Sequence, residues 1–433
     1  MMSEVGAQQA ATPAADRAFG RTSILFLLCY VLAQADKQVM GLLAVPVQET
    51  FALSNAQLGF LQGVAFSIAY ALGGLPIARL LDGGHRVRIA AACVALWSVA
   101  TVRCGFAGAF LVLVIMRSAT AVAEAGLAPA FFSILSQSDD RRRIARTTSA
   151  FMLAPFVGGG LVLLLGGWLL DAMSRTAGGS DSWRAVFVAL GVLGLAIAPF
   201  LAVFAHEPSR PGASSGTRCV PPLRAVLAAI FIENRFLCLY FLGLTAFTVL
   251  LYAAVAWYPA YLVRRFGISA SAAGGYAGVI YLVAGVLGTL ATNLLATIRK
   301  DVSVASIVRG FLIASVMLVP TAIAMTTIAD MQGSLAFHAL YAFLSAGVVA
   351  SMAVPIQLSL ANAMQARGIA VFSLLTSAGA GSAGPLIVGC LVDWGDVSLG
   401  AAFAFTGGGA MVLASLLLLL AWRARHTLES STS

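Results

Sequence analysis

The sequence predicts an all-α membrane protein of twelve transmembrane helices, folded as two pseudo-symmetric halves of six. Three observations lead there. The chain is 60% hydrophobic and only 10% charged, with a mean hydropathy of +0.94, more apolar surface than a soluble core of this size could hide. Its apolar residues form about twelve runs, each long enough to cross a ~30 Å hydrocarbon core. The basic residues collect in alternate segments between those runs, which is an orientation signal for membrane helices.

In chain order the runs fall near 22–48, 57–81, 89–105, 108–135, 148–170, 184–205, 236–262, 270–297, 304–328, 334–359, 369–391 and 398–421. Residues 1–21 form an Ala-rich polar tail with no signal-peptide pattern. The Pro-, Ser- and Gly-rich stretch after residue 205 reads as a linker. The expected organisation is therefore a first half over 22–205, a linker over 206–235, a second half over 236–421 and a tail over 422–433. With both termini cytoplasmic, the cytoplasmic segments take Arg79, Arg86, Arg88, Arg141–Arg143, Arg146, Arg210, Arg218, Arg224, Arg235, Arg299, Lys300 and Arg367. The other face keeps Arg175, Arg184, Arg264 and Arg265. That bias predicts an inner-membrane protein with cytoplasmic ends.

An internal repeat supports the halves. Phe51-x-Leu53-Ser54-x4-Gly59-x3-Gly63-x9-Gly73 recurs as Phe266-x-Ile268-Ser269-x4-Gly274-x3-Gly278-x9-Gly288, shifted by half the chain length at every position. Six spans per half is an even number, so the halves repeat in parallel about an axis along the membrane normal. The substrate site is then expected between them. The glycines need only mean close helix packing.

Ionisable residues inside apolar runs are the next signal. Arg117 and Glu124 sit seven residues apart in span 4, nearly two helical turns, and so share one face about 10 Å apart along the axis. Span 1 carries Asp36 and Lys37 at a depth that nearly coincides with Arg117, because spans 1 and 4 enter from opposite sides. Asp36 and Glu124 are the only acids within the predicted spans, helix ends apart. A charge in hydrocarbon costs several kcal/mol unless paired or hydrated, so this cluster is a candidate site. Asp36, Glu124 and Arg117 are the candidates for proton coupling. Lys37, Arg117 and Glu124 are candidates for substrate binding. The competing reading is a salt bridge, Asp36–Arg117–Glu124 or Lys37–Glu124, that only fixes the bundle. Lys37 could pair with a substrate anion, pair with Glu124, or be a tolerated substitution, since a lysine loses its proton more readily than an arginine when buried.

The second half has no ionisable counterpart at this depth. It offers Tyr252, Tyr281 and Asn293 as deep residues for a substrate cavity, while Trp257, Tyr258 and Tyr261 lie near a helix end and are expected to anchor the membrane interface. A charged wall facing an aromatic one suits an amphipathic organic anion or a lysolipid-like solute. His338 reads as a satisfied neutral histidine, and Arg103 as a residue that snorkels to the interface. Pro155-x-x-Gly158-Gly159 reads as a kink and packing surface. After span 2, Asp82 with Arg86 and Arg88 can form a cytoplasmic latch between helix ends, or be a plain basic loop.

The motifs together resemble the major facilitator superfamily, and within it the spinster-like branch common in bacteria. The residues that carry the resemblance are Tyr30-Val31-Leu32-x3-Asp36-Lys37-Gln38, Ser54-x2-Gln57-Leu58-Gly59, Pro76-Ile77-Ala78-Arg79-x2-Asp82, Arg117-x6-Glu124-Ala125-Gly126-x2-Pro129 and Gly166-Gly167-Trp168-Leu169-x-Asp171. Ala33 and Lys37 depart from the branch's usual Asn and Arg, and Gly83 stands where its Asp-Arg turn has arginine. The resemblance implies the major facilitator fold and a secondary transporter working by alternating access, with proton coupling through the charges of spans 1 and 4. Its expected partners are a small-molecule substrate, protons and the lipid bilayer, with the protein a monomer. The alternatives are an uncoupled facilitator or organic-ion antiporter, or a non-transporting membrane sensor or scaffold.

Other classes fail on inventory. There is no GxxxxGK[ST] phosphate loop and no HExxH, so an enzyme, a cofactor or a metal is not expected. The formal charge of +9 lies in the short connecting segments and does not point to nucleic acid. Cys29, Cys93, Cys104, Cys219, Cys238 and Cys390 form no CxxC or Cys/His cluster and read as small hydrophobes.

Overall fold

A computed structural model describes residues 13–137, 140–177, 181–207, 221–298 and 303–424. Among these, twelve helices are long and apolar enough to cross a membrane. They are span 1 (Phe19–Phe51), span 2 (Asn55–Leu81), span 3 (Arg86–Gly105), span 4 (Phe110–Leu135), span 5 (Arg146–Arg175) and span 6 (Ser182–Phe204). The second half follows with span 7 (Arg235–Phe266), span 8 (Ala270–Ile298), span 9 (Val304–Thr327), span 10 (Met331–Ser359), span 11 (Ala363–Gly395) and span 12 (Leu399–Ala424). Each expected run becomes one of these helices. Span 11 reaches Gly395 rather than stopping near residue 391, which brings Asp393 onto the helix end. Within the linker, the described part is helical, Leu223–Ala228 running into a π-helical turn at Ala229–Glu233.

Local chemistry sets the ends. Ser54 caps span 2, its side chain accepting from the Gln57 N–H while the Gln57 side chain accepts from the Ser54 N–H, the reciprocal pairing that satisfies two orphan donors at once. Span 7 stops at Gly267, which takes a left-handed φ of 66°, a conformation glycine enters without steric penalty.

Four spans depart from regular α geometry. Span 4 breaks at Ala125–Gly126, directly after Glu124, and span 10 breaks after Ser351. The Met352 carbonyl at that second break is taken by the Tyr240 hydroxyl at 2.7 Å. Spans 2 and 11 each contain a π-helical stretch, Leu61–Ala65 and Leu375–Ala380. The first packs across the halves against span 11 just beyond the second, where a Cβ at Gly63 would lie 2.9 Å from the Ser382 carbonyl.

The repeated glycines do equivalent work in the two halves. A Cβ at Gly59 would lie 2.5 Å from the Pro385 carbonyl of span 11, and one at Gly274 would lie 2.6 Å from the Leu163 carbonyl of span 5. Each first glycine thus lets a second helix of its half press against the opposite half. The third glycine of each set packs within its own half: Gly73 faces Val122 of span 4 and Gly288 faces Phe343 of span 10. Backbones approach this closely only where side chains are missing.

Because each half has six spans, the chain ends and the linker share one face, here called the termini face. The halves are stitched together at the other face. The Asp393 carboxylate accepts from the Asn55 N–H (3.1 Å), the Asn55 side-chain amide (2.7 Å) and the Ala56 N–H (2.6 Å). It therefore sits on the N-terminus of span 2, where the helix dipole favours an anion. Arg264 donates to Asn55 Oδ1 at 2.8 Å and also to the Gln48 side chain.

Pro155-x-x-Gly158-Gly159 is a packing surface, as expected. The Pro155 carbonyl accepts from the Gln38 amide at 3.0 Å, and Gly158 lies so close to span 1 that a methyl there would overlap the Val31 carbonyl. Gly158→Ala is expected to destabilise the protein by about 1–3 kcal/mol, the usual cost of overpacking. Gly275→Ala, with nothing within 4 Å, leaves the detergent melting temperature level or slightly raised. Equal melting temperatures for the two variants would contradict this packing account.

Candidate functional site

Two ion pairs occupy the middle of the first half, and they differ in kind. Asp36 and Arg117 are both buried, and Arg117 Nη1 donates to Asp36 Oδ2 at 2.7 Å. Arg117 Nη2 also donates to the Asp36 backbone carbonyl at 3.2 Å. Thr101 of span 3 donates to the other carboxylate oxygen at 2.9 Å. The guanidinium lies over the Phe66 ring, 4.9 Å from its centre. This pair is nearly saturated and ties spans 1, 3 and 4 together; only Arg117 Nε lacks a partner.

Lys37 and Glu124 form the second pair, and it is loose. Lys37 Nζ is 3.8 Å from Glu124 Oε2, beyond hydrogen-bond distance. The Glu124 side chain is fully enclosed while that of Lys37 is 26% exposed. Neither Glu124 oxygen has a hydrogen-bond partner. Lys37 Nζ lies 4.3 Å from the centre of the Tyr70 ring, a cation–π contact. Tyr30, Tyr70 and Tyr252 all lie in the neighbourhood of Lys37. The expected coincidence in depth of Asp36 and Arg117 is therefore present. Of the pairings left open by the sequence, Arg117 takes Asp36 and Lys37 takes Glu124.

The aromatic residues of the second half are placed differently from their sequence reading. Trp257, Tyr258 and Tyr261 are buried rather than set at the membrane interface. Trp257 Nε1 donates to the Pro385 carbonyl at 2.9 Å, and the Tyr258 hydroxyl is bonded to Ser334. Position near a helix end suggested an anchor; the packed face of span 7 claims all three instead. Tyr252 is half-buried, beside Ser377 of span 11. Tyr281 is half-buried against Phe156 of span 5, ring centres 5.1 Å apart, with its hydroxyl toward Gln38. Asn293 stands apart, twelve residues further along span 8, about 18 Å away along the axis. Nor is His338 satisfied: it is buried, stacked on Tyr258 at 3.8 Å, and its Nδ1 has no partner.

The predicted latch is rebuilt around a residue that the sequence reading left unused. Arg86 is buried, and its Nε donates to Glu207 at 3.2 Å. Its Nη1 donates to the Ser133 carbonyl at 3.1 Å. Glu207 also accepts from the Arg86 and Val87 N–H groups and so caps span 3. Burial pushes the Glu207 carboxyl up, but those N–H groups and the guanidinium outweigh it and hold it below its ordinary value. Arg88 is exposed. The Asp82 side chain lies outside the described ones. Arg103 is exposed in the last turn of span 3, as its snorkelling reading requires.

Two six-helix halves packed about a charged membrane-embedded centre define a membrane transporter of the two-bundle type. The Major Facilitator Superfamily profile matches residues 26–366, and the chain belongs to that family. It is 26% identical over 386 residues to an MFS-type efflux pump of Mycolicibacterium smegmatis, covering 89% of this chain and 87% of that protein. It is 24% identical over 341 residues to a probable galactarate/D-glucarate transporter of Bacillus subtilis, covering 71% of this chain and 73% of that protein. Its fold matches the crystal structure of a bacterial homologue of the human lysosomal transporter Spinster, in an inward-facing and unoccupied conformation. That match has a TM-score of 0.74 at 22% identity over 97% of this chain and 99% of that one.

Arg117→Ala strands the buried Asp36 carboxylate and is expected to cost about 3–5 kcal/mol. Asp36→Leu combined with Arg117→Met removes both charges and should recover most of that loss. Melting temperatures of the purified variants in one detergent decide it; a double variant no more stable than Arg117→Ala would contradict the pairing.

Proposed function

We propose that the protein is a secondary active transporter that carries an organic anion across the inner membrane together with a proton, by alternating access. One observation carries the reading: a fully enclosed carboxylate, Glu124, with no hydrogen bond to either oxygen and Lys37 as its ion-pair partner at 3.8 Å. Asp36–Arg117 has spent nearly all its bonding capacity and serves to position its neighbours. Lys37 and Glu124 have not.

The mechanism follows from competition for one cation. Without substrate, the Lys37 ammonium balances the Glu124 charge. An incoming carboxylate reaches Lys37 from its exposed side and draws the ammonium toward itself. Glu124 is then a buried charge without a partner, which is costlier than binding a proton. Anion and proton therefore load together, and release of the anion returns Lys37 to Glu124 and expels the proton. Organic acids named in relatives, such as galactarate and D-glucarate, favour the anion over a lysolipid-like solute.

Alternating access needs two seals, and the same reading assigns them. The termini face is cytoplasmic by its basic residues. The periplasmic seal comprises Asp393, Asn55, Arg264 and Gln48, closed here. The chain is thus closed toward the periplasm. On the cytoplasmic side Arg86, clamped by Glu207 and Ser133, holds the ends of spans 3 and 4 and the segment after span 6 as one body. Span 2 can then swing against span 11 without the first half coming apart.

In proteoliposomes, uptake of organic acids such as D-glucarate should rise with an imposed inward proton gradient and lose that dependence in Glu124→Gln. Normal gradient-driven uptake by Glu124→Gln would show that the coupling residue lies elsewhere, while a lysolipid as the only transported probe would overturn the anion assignment.

For the seal, Asp393→Ala should raise labelling of Ala277→Cys by a membrane-impermeant thiol reagent added from the periplasmic side, in a background free of other reactive cysteines. Unchanged labelling would remove Asp393 from the gate.

A further inference from the structure

The wall opposite the charges holds a small pocket that the coupling mechanism does not use. It lies between the halves and is lined by Gln38 and Leu163 of the first half and by Tyr258, Tyr281, His338 and Tyr341 of the second. Its free space admits about one water-sized group. Among its lining residues there is no carboxylate and no lysine or arginine, so whatever it takes is neutral.

His338 is the unexplained member. It is 4% exposed, and its Nδ1 is bare. Its ring is held between aromatic neighbours, with Tyr258 at 3.8 Å and Tyr341 at 5.6 Å between centres. The Tyr258 hydroxyl is already spent on Ser334, and the Gln38 amide N–H on the Pro155 carbonyl. A buried polar group left unsatisfied calls for a reason, and a binding role is one. Tyr281 on its wall neighbours Tyr252, which in turn neighbours Lys37, so the pocket borders the anion site.

We infer that this pocket is a hydroxyl subsite, and that the transported anion is a hydroxylated carboxylic acid whose carboxylate is held by Lys37 and one of whose hydroxyls bonds the free imidazole nitrogen of His338. The inference rests on the proposed organic-anion reading and narrows it. The pocket admits a hydroxyl but not an alkyl branch. An acid that brings only C–H to this wall leaves the imidazole bare. Sites built to hydrogen-bond a substrate hydroxyl discriminate against analogues that lack it far more strongly than apolar pockets discriminate by size.

The test is binding to the purified full-length protein, measured by calorimetry with matched pairs: D-glucarate against adipate and gallate against benzoate. At least one hydroxylated member should bind more tightly than its partner by about tenfold or more. His338→Phe should collapse that ratio toward one by weakening the hydroxylated member, and His338→Gln, which keeps a donor and an acceptor, should retain most of it. If the carboxylates bind with ratios near one in the unmodified protein, the hydroxyl subsite is wrong and the organic-anion reading stands. If the ratio is large but His338→Phe leaves it unchanged, the hydroxyl is read elsewhere. If none of the four acids binds, the organic-anion reading fails and takes this inference with it.

Discussion

The buried contact between Asp36 and Arg117 sets the geometry of everything functional in the first half. Two charges this deep are tolerable only because both carboxylate oxygens are satisfied, one by the guanidinium and one by Thr101, while the second arm of Arg117 bonds the Asp36 backbone carbonyl. The contact fixes the rotation of span 1 against span 4. Once it is made, the residue after Asp36 stands about 100° further round span 1, and the residue seven beyond Arg117 returns to nearly the same face of span 4. Lys37 and Glu124 then have to meet. A saturated pair thus holds an unsaturated one in position.

That difference separates a structural salt bridge from one able to work. Pairing strength alone would point to Asp36–Arg117, the shorter contact. But a pair with its bonds filled has little to gain from a proton or a substrate. Glu124, enclosed and short of partners, has much to gain, and the helix breaks immediately after it at Ala125 and Gly126. A break there leaves the backbone next to Glu124 outside the regular helical ladder.

The two halves share a backbone plan but not a chemistry. Equivalent glycines bring span 2 against span 11 and span 8 against span 5. Asp393 takes the N-terminus of span 2. In the first half, Asp171, at the outer end of span 5, pairs with its own neighbour Arg175 at 2.5 Å. The seal is consequently stronger on one side of the pseudo-symmetry axis. The buried ion pairs lie in the first half, and the aromatic cluster of Trp257, Tyr258, Tyr261 and Tyr341 lies in the second.

By itself the sequence determined the number and order of the spans, the repeat, and the depth at which Asp36, Arg117 and Glu124 lie. These follow from hydrophobic run length and from helical rise, both properties of a single helix. Its limits show in particular residues. Trp257, Tyr258 and Tyr261 read as interface anchors because distance along a helix is visible in the chain while the face turned to a neighbour is not. Glu207 and Asp393 lay outside the expected spans and carried no motif, and His338 looked satisfied because no partner could be counted. Which of two acids pairs with which cation, where the halves are latched, and which buried nitrogen is left bare were decided only by tertiary structure. Each depends on how helices far apart in the chain are rotated against one another, and helical periodicity carries no information about that rotation.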